Sequence, residues 1–255
     1  MRDFEGRNVL VVGGSGAIGA SVCRMLGERG AQVMLTYARS RDAADRVAAL
    51  LEPVRLAGVE QVDITDPDAV ERLLETARER MGGVDAVINT AGYMHGLHPF
   101  VEMDLAEVRD TVALELFGVM HLARAAVPLM REAGYGRLVT VASDSGKVGA
   151  KGVAASAAAR GGVIAFSKSI AREVADKDIC VNVVCPGPTD SALFDTLTSE
   201  DDMSGKQMRA MVRAIPKRRA AQPDEVAAVA LFLASEAASF VTGQAISASG
   251  GLTMN

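Results

Sequence analysis

Gly13, Gly14, Ser15, Gly16 and Gly19 stand in the run Gly13-Gly14-Ser15-Gly16-Ala17-Ile18-Gly19, after the apolar stretch Asn8-Val9-Leu10-Val11-Val12 and before helix-forming residues from Ala20 to Glu28. A strand that breaks into glycines and then into a helix gathers backbone N–H groups at the positive end of that helix, and this is the chemistry of pyrophosphate binding. Gly13 lets the chain turn sharply, Gly16 lets backbone approach a phosphate, and Gly19 lets helix pack on strand. The same pattern also fits an ordinary strand-to-helix loop. About 20 positions past such glycines, an acidic side chain would bond the adenosine ribose of NAD. Tyr37 holds that place here, followed by Ala38-Arg39-Ser40. With no carboxylate to repel a 2′-phosphate and a guanidinium able to fork onto it, NADP(H) is favoured over NAD(H). The alternative for Arg39 is a solvated loop charge. A third group, Tyr93, His95 and His98, follows Asn89-Thr90-Ala91-Gly92. Histidine titrates near neutrality and suits proton delivery, although the favoured reading of both histidines is as exposed loop residues.

These residues need a sheet to position them, and the chain alternates strand and helix throughout. Ala31 to Tyr37 reads as the second strand and Ser40 to Leu51 as the second helix. The third strand is expected to end in Val62-Asp63-Ile64-Thr65-Asp66, before a helix from Pro67 to Met81, and Val84 to Asn89 is the fourth. A helix starting near Leu105 carries His121 as a packing residue. Later strands are expected at Arg137 to Ala142, Ile179 to Val184 and Gln244 to Ser249, with a helix opening at Pro223-Asp224-Glu225-Val226. With 255 residues, 49% of them hydrophobic, the chain can form one large core. A net charge of -5 provides no basic surface for nucleic acid. Cys23, Cys180 and Cys185 show no metal-ligand spacing and read as buried apolar residues in a reducing compartment. No leader is visible and no apolar run reaches membrane-spanning length by eye, so a cytoplasmic protein without membrane attachment is expected.

Val9 to Gly19, Tyr37-Ala38-Arg39-Ser40, Asn89-Thr90-Ala91-Gly92, Gly136 to Ser143, Val181 to Asp190 and Pro223 to Gly251 together resemble the short-chain dehydrogenase/reductase family, above all its 3-oxoacyl-acyl-carrier-protein reductases and related ketoreductases. The resemblance covers nearly the whole chain. It implies an α/β fold, one doubly wound Rossmann domain over residues 1–255 with about seven parallel strands flanked by helices. It also implies a cofactor site. Gly13, Ser15, Gly16, Ile18 and Gly19 would border the cofactor at the glycine turn, Arg39 alone would meet the 2′-phosphate, and Ser40 beside it would also contact the cofactor. Asp63 would bond the adenine with Ile64 beside it, and Asn89, Ala91 and Gly92 would line the adenosine ribose. Pro186, Gly187, Pro188 and Thr189 would hold the nicotinamide carboxamide, and Arg160 the nicotinamide ribose. No metal is expected. Ser191 to Met211 would cover a small-molecule or acyl-thioester substrate, and the assembly would be a homotetramer.

The likeness is incomplete where the chemistry would occur. Val12, Ala17 and Thr90 replace the threonine, second glycine and asparagine usual in the family, and Gly16 stands where many NADP-using members carry arginine. Ser143 fits the catalytic serine, but Ser156 and Arg160 occupy the places of the tyrosine and lysine, and Glu115 that of the relay asparagine. A serine hydroxyl is a far weaker acid than a phenol, and loss of a positioned general acid costs on the order of 10²–10⁴ in rate. Lysine to arginine and asparagine to glutamate together allow an Arg160–Glu115 ion pair, for which the small Ser156 leaves room. Two readings follow. One is an NADP(H)-dependent oxidoreductase acting on a carbonyl or alcohol with a non-standard proton donor. The other is a catalytically degenerate relative serving as a binding protein, a reductase partner, or a non-redox catalyst such as a cyclase or dehydratase.

Overall fold

In the computed structural model, which describes residues 3–92, 97–199 and 203–255, strands β1 (Asn8–Val12), β2 (Gln32–Tyr37), β3 (Leu56–Gln61), β4 (Ala86–Asn89), β5 (Tyr135–Val141), β6 (Asp178–Pro186) and β7 (Ala245–Ala248) form one parallel sheet. The strand order is β3-β2-β1-β4-β5-β6-β7, so the chain reverses direction across the sheet between β1 and β4. That reversal opens a crevice at the carboxyl ends of the strands.

Side chains alternate between two buried layers, as a sheet covered on both faces requires. Val9, Val11, Val33, Leu35 and Ile88 join one core with residues of α1 (Ala17–Glu28), α2 (Arg41–Ala48) and α10 (Pro223–Ala234). Leu10, Val12, Met34 and Val87 join the other with residues of α3 (Pro67–Met81), α5 (Gly118–Ala133) and α7 (Ala154–Glu173). The doubly wound seven-stranded fold expected from the resemblance is therefore present.

Several boundaries differ from the sequence reading, each for a local reason. The third strand stops at Gln61 because Asp63 Oδ1 accepts hydrogen bonds from Thr65 N and Oγ1 at 2.9 and 2.8 Å, and Asp66 then caps α3. Ser40 lies outside α2 as its N-cap, accepting from Ala43 N at 3.2 Å. The segment Ser191 to Met211 contains α8 (Ala192–Ser199) and the greater part of α9 (Met203–Ala214).

One expectation is corrected. Leu105–Ala133 is a continuous helical stretch of α4 (Leu105–Val112), a π-helical turn (Ala113–Phe117) and α5, and by length and apolar composition alone it could cross a membrane. Charged residues such as Glu107, Arg109 and Asp110 interrupt the apolar run along the linear sequence. In the fold it packs against α3, α7 and β5. His121 on its inner side donates from Nδ1 to Ile64 O at 2.9 Å, which bears out its reading as a packing residue.

Candidate active site

The glycine turn is held in place by two threonines. Gly13 N donates to Thr36 Oγ1 at 3.1 Å, and Thr90 Oγ1 donates to the carbonyls of Val12 and Gly13 at 2.9 and 3.0 Å. Gly13 has a φ of +76°, and a Cβ there would lie 2.7 Å from Ala91 N. At Gly19 a Cβ would come within 2.3 Å of Gly13 O. Gly16 is different: it is the exposed N-cap of α1, and its Cβ position has only Gly13 O near it, at 3.5 Å. No side chain caps this helix and no acidic residue sits in its first turn, so its N-terminal N–H groups are available to an anion. A dinucleotide's phosphates fit that cradle.

The remaining sequence-predicted cofactor residues lie along the same edge of the sheet. Arg39 and Ser40 are exposed just past β2, with the Ser40 hydroxyl engaged in capping α2. Asp63 is exposed past β3, whereas the Ile64 side chain is buried against Gly118. Asn89 is buried at the end of β4, with Oδ1 accepting from Ala91 N at 3.0 Å and Nδ2 lacking a partner among the described residues. Thr189 Oγ1 donates to Gly187 O at 3.1 Å, closing the turn after Pro186.

Four other residues predicted from the sequence face a second locus. Ser143 follows β5, Ser156 and Arg160 stand one turn apart on α7, and Glu115 is the buried residue of the π-helical turn. Arg160 Nη2 donates to Glu115 Oε1 at 2.6 Å, and Ser156 Oγ donates to Glu115 Oε2 at 2.6 Å. Arg160 also donates from Nε to Ser156 Oγ at 3.3 Å and from Nη1 to Val141 O at 3.2 Å. The ion pair expected from the sequence is formed, between side chains 14% and 1% exposed. Gly92 leaves room for this placement of the guanidinium, since a Cβ there would lie 2.6 Å from Arg160 Nη2.

Ser143 is arranged in the opposite sense. Its Oγ accepts from Ser145 N at 3.2 Å and from Ser145 Oγ at 3.0 Å, which directs its own O–H elsewhere. Ser145 was not anticipated, although its two-residue spacing from Ser143 was a usable signal. Also unanticipated is a chain behind the site. Lys147 Nζ donates to Ser247 Oγ at 2.9 Å, and Ser247 Oγ donates to the buried Asp144 at 2.7 Å. All three cysteines are buried, and burial pushes the Cys185 thiol up to about 11 despite nearby Lys147. It is therefore no nucleophile at neutral pH.

Ser143, Ser145, Ser156 and Arg160 line one cavity of about 630 Å³, with Leu97, Phe194, Met208 and Met211 supplying apolar wall. The apolar segment after Ser191 thus contributes to the cavity, as expected. His98 is exposed, and Tyr93 and His95 lie outside the described residues.

The family model described as enoyl-(acyl carrier protein) reductase matches residues 13–253. The 3-oxoacyl-[acyl-carrier-protein] reductase FabG of Escherichia coli (strain K12) is 35% identical over 252 residues, covering 99% of each chain. Nodulation protein G of Rhizobium sp. (strain N33) is 36% identical over 255 residues, covering both chains completely. Among solved structures, a short-chain dehydrogenase/reductase (glucose/ribitol dehydrogenase) from Brucella melitensis superposes with a TM-score of 0.88 at 32% identity, covering 99% of both chains. Levodione reductase superposes with a TM-score of 0.90 at 27% identity, covering 97% of this chain and 98% of its own.

Proposed function

Because the chain belongs to the short-chain dehydrogenase/reductase family, we propose that it is a single-domain NADP(H)-dependent oxidoreductase that acts on a carbonyl or alcohol, with a proton donor other than the family's tyrosine. The observation that carries this reading is the glycine cradle: an uncapped α1 N-terminus at Gly16, with Arg39 just past the neighbouring β2 and no carboxylate from Tyr37 to Ser40. Bound there, the cofactor supplies the hydride. Ser15, Gly16, Ile18 and Gly19 would hold its pyrophosphate, Arg39 the 2′-phosphate, Asp63 the adenine, and Pro186 to Thr189 the carboxamide.

The side chains of the cavity divide the remaining work. Ser143, whose Oγ already accepts twice from Ser145, is left to donate to a substrate oxygen, and such a bond strengthens as negative charge develops there. The Ser156 proton is held by Glu115, and Arg160 cannot release one near neutral pH, so the proton comes from another group or from water. The apolar wall and the relatives' names support a small ketone or an acyl thioester as substrate. A cytoplasmic homotetramer is part of the same reading.

The closed Glu115–Ser156–Arg160 network supports a second reading, a degenerate family member that binds without turning over, partners another reductase, or catalyses a non-redox reaction. Titration with NADPH and NADH by fluorescence tests the shared premise: NADPH binds more tightly, and indifference to both at millimolar concentration overturns it. NADPH consumption with an acetoacetyl thioester then separates the two readings. Combining Ser156→Tyr and Arg160→Lys with Glu115→Asn, so that no carboxylate is left unpaired, should raise that turnover by about 10²-fold or more. No gain would show that the pocket itself has been rebuilt.

A further inference from the structure

We propose that Ser156 is an acyl-accepting nucleophile with Glu115 as its base, giving the cavity a hydrolytic activity toward apolar acyl esters and thioesters with good leaving groups, independent of any nicotinamide cofactor. The hydroxyl proton of Ser156 already points at a carboxylate, at 2.6 Å, the contact expected between a serine nucleophile and its base. The base is itself oriented, since Arg160 Nη2 holds the other carboxylate oxygen at 2.6 Å. The same guanidinium donates from Nε to Ser156 Oγ at 3.3 Å, where it stabilises negative charge growing on that oxygen. Nucleophile, base and orienting group thus satisfy the mutual geometry of an acyl-transfer site.

Donors for the oxyanion stand on the same elements. Ser156 is the third residue of α7, and the first bond within that helix runs from Ala157 N to Val153 O. The N–H groups of Ala154, Ala155 and Ser156 therefore have no acceptor inside the helix, Val153 caps none of them with its side chain, and of the three residues it is Ser156 that lines the cavity. Ser143 lines the same cavity with its O–H directed away from Ser145. In the acylation step, Ser156 Oγ bonds to the acyl carbon, its proton passes to Glu115, and the bond to the leaving alcohol or thiol breaks as that group takes the proton from Glu115. Water then adds to the acyl carbon, gives its proton to Glu115 and releases the acid, and Glu115 returns the proton to Ser156.

The test uses the full chain without added cofactor. An alkyl fluorophosphonate should give one covalent adduct, mapped by peptide mass spectrometry to Ser156, and p-nitrophenyl butyrate should release nitrophenol. Both signals should vanish in Ser156→Ala and fall by about 10²-fold or more in Glu115→Gln. Circular dichroism melting would check that each variant is folded. Absence of any adduct on the unmodified protein, or an adduct on Ser143 or Ser145 instead, overturns the proposal whatever the variants do. Because neither probe needs NADPH, this outcome is independent of the cofactor titration.

Discussion

Glu115 places a carboxylate in a site where its side chain is 1% exposed, so the free energy of the site depends on whether Arg160 is there to meet it. Removing one partner of a buried pair leaves an uncompensated charge and costs about 3–5 kcal/mol, whereas replacing both with apolar residues of similar size is often near neutral. We therefore expect Glu115→Leu to lower the urea-unfolding free energy by about 3 kcal/mol and Glu115→Leu with Arg160→Met to recover most of it. Equal losses in the single and double variants would mean that the pair contributes packing rather than charge compensation. This pair was legible in the sequence because two substitutions of opposite charge fell at family positions that face each other. The direction of the Ser156 proton was not legible, because a hydroxyl's partner depends on the rotamers of side chains brought in from distant segments. For the same reason the Lys147–Ser247–Asp144 chain, which joins residues a hundred positions apart, emerged only from the fold, whereas the grip of Ser145 on Ser143 had a local signal in their two-residue spacing.

At the scale of elements, the β1–α1 turn separates two kinds of glycine that a motif treats alike. Gly19 has backbone packed where a Cβ would sit, so Gly19→Ala should lower the melting temperature and abolish NADPH binding together. At Gly16 a Cβ would make only an ordinary contact, 3.5 Å from Gly13 O, so Gly16→Ala should melt like the parent while losing affinity for NADPH. Equal melting losses in both variants would refute this division. A second element, α10, is fastened at its start by the Gln222–Glu225 capping box, and Glu225 also accepts from Nη1 and Nη2 of Arg219 at 2.6 and 2.7 Å. Arg219, followed by the Gln222 N–H, lowers the Glu225 carboxyl from an ordinary 4.5 to about 2. A lowered folded value stabilises the fold above pH 4.5 and ceases to do so as pH falls toward 2. Glu225→Gln should therefore melt below the parent at pH 7, with the gap closing between those limits. A gap unchanged at pH 2 would point to lost geometry instead of lost charge. The proline and acids at this helix start announced it in the sequence, and the glycines announced α1. The π-helical turn had no such marker: Ala113–Phe117 contains neither proline nor glycine.

For the whole molecule, the decisive feature is how apolar surface is distributed between inside and outside. The alternating strands bury both sheet faces; the alternation of strand and helix followed from the chain and the seven parallel strands from the family resemblance, while their spatial order emerged only from the fold. The surface did not follow, since one sequence cannot show which apolar residues remain outside. Phe100, Val101, Leu105 and Phe117 are exposed near or along the α4–α5 stretch, and only 33% of its most apolar window is buried. Exposed apolar side chains along one helical stretch offer a candidate contact surface. Charged residues such as Glu107, Arg109 and Asp110 share this helix and disfavour lipid as its cover, whereas a second copy of the chain can pair both its apolar and its charged positions. We expect the purified protein to run in light scattering as a homotetramer of 26.6 kDa chains, and Leu105→Glu with Phe117→Glu to reduce that mass while leaving the monomer folded. A parent protein that is monomeric at tens of micromolar would remove oligomerisation as the use of this face. Partition of the parent into lipid vesicles would assign the same face to a membrane.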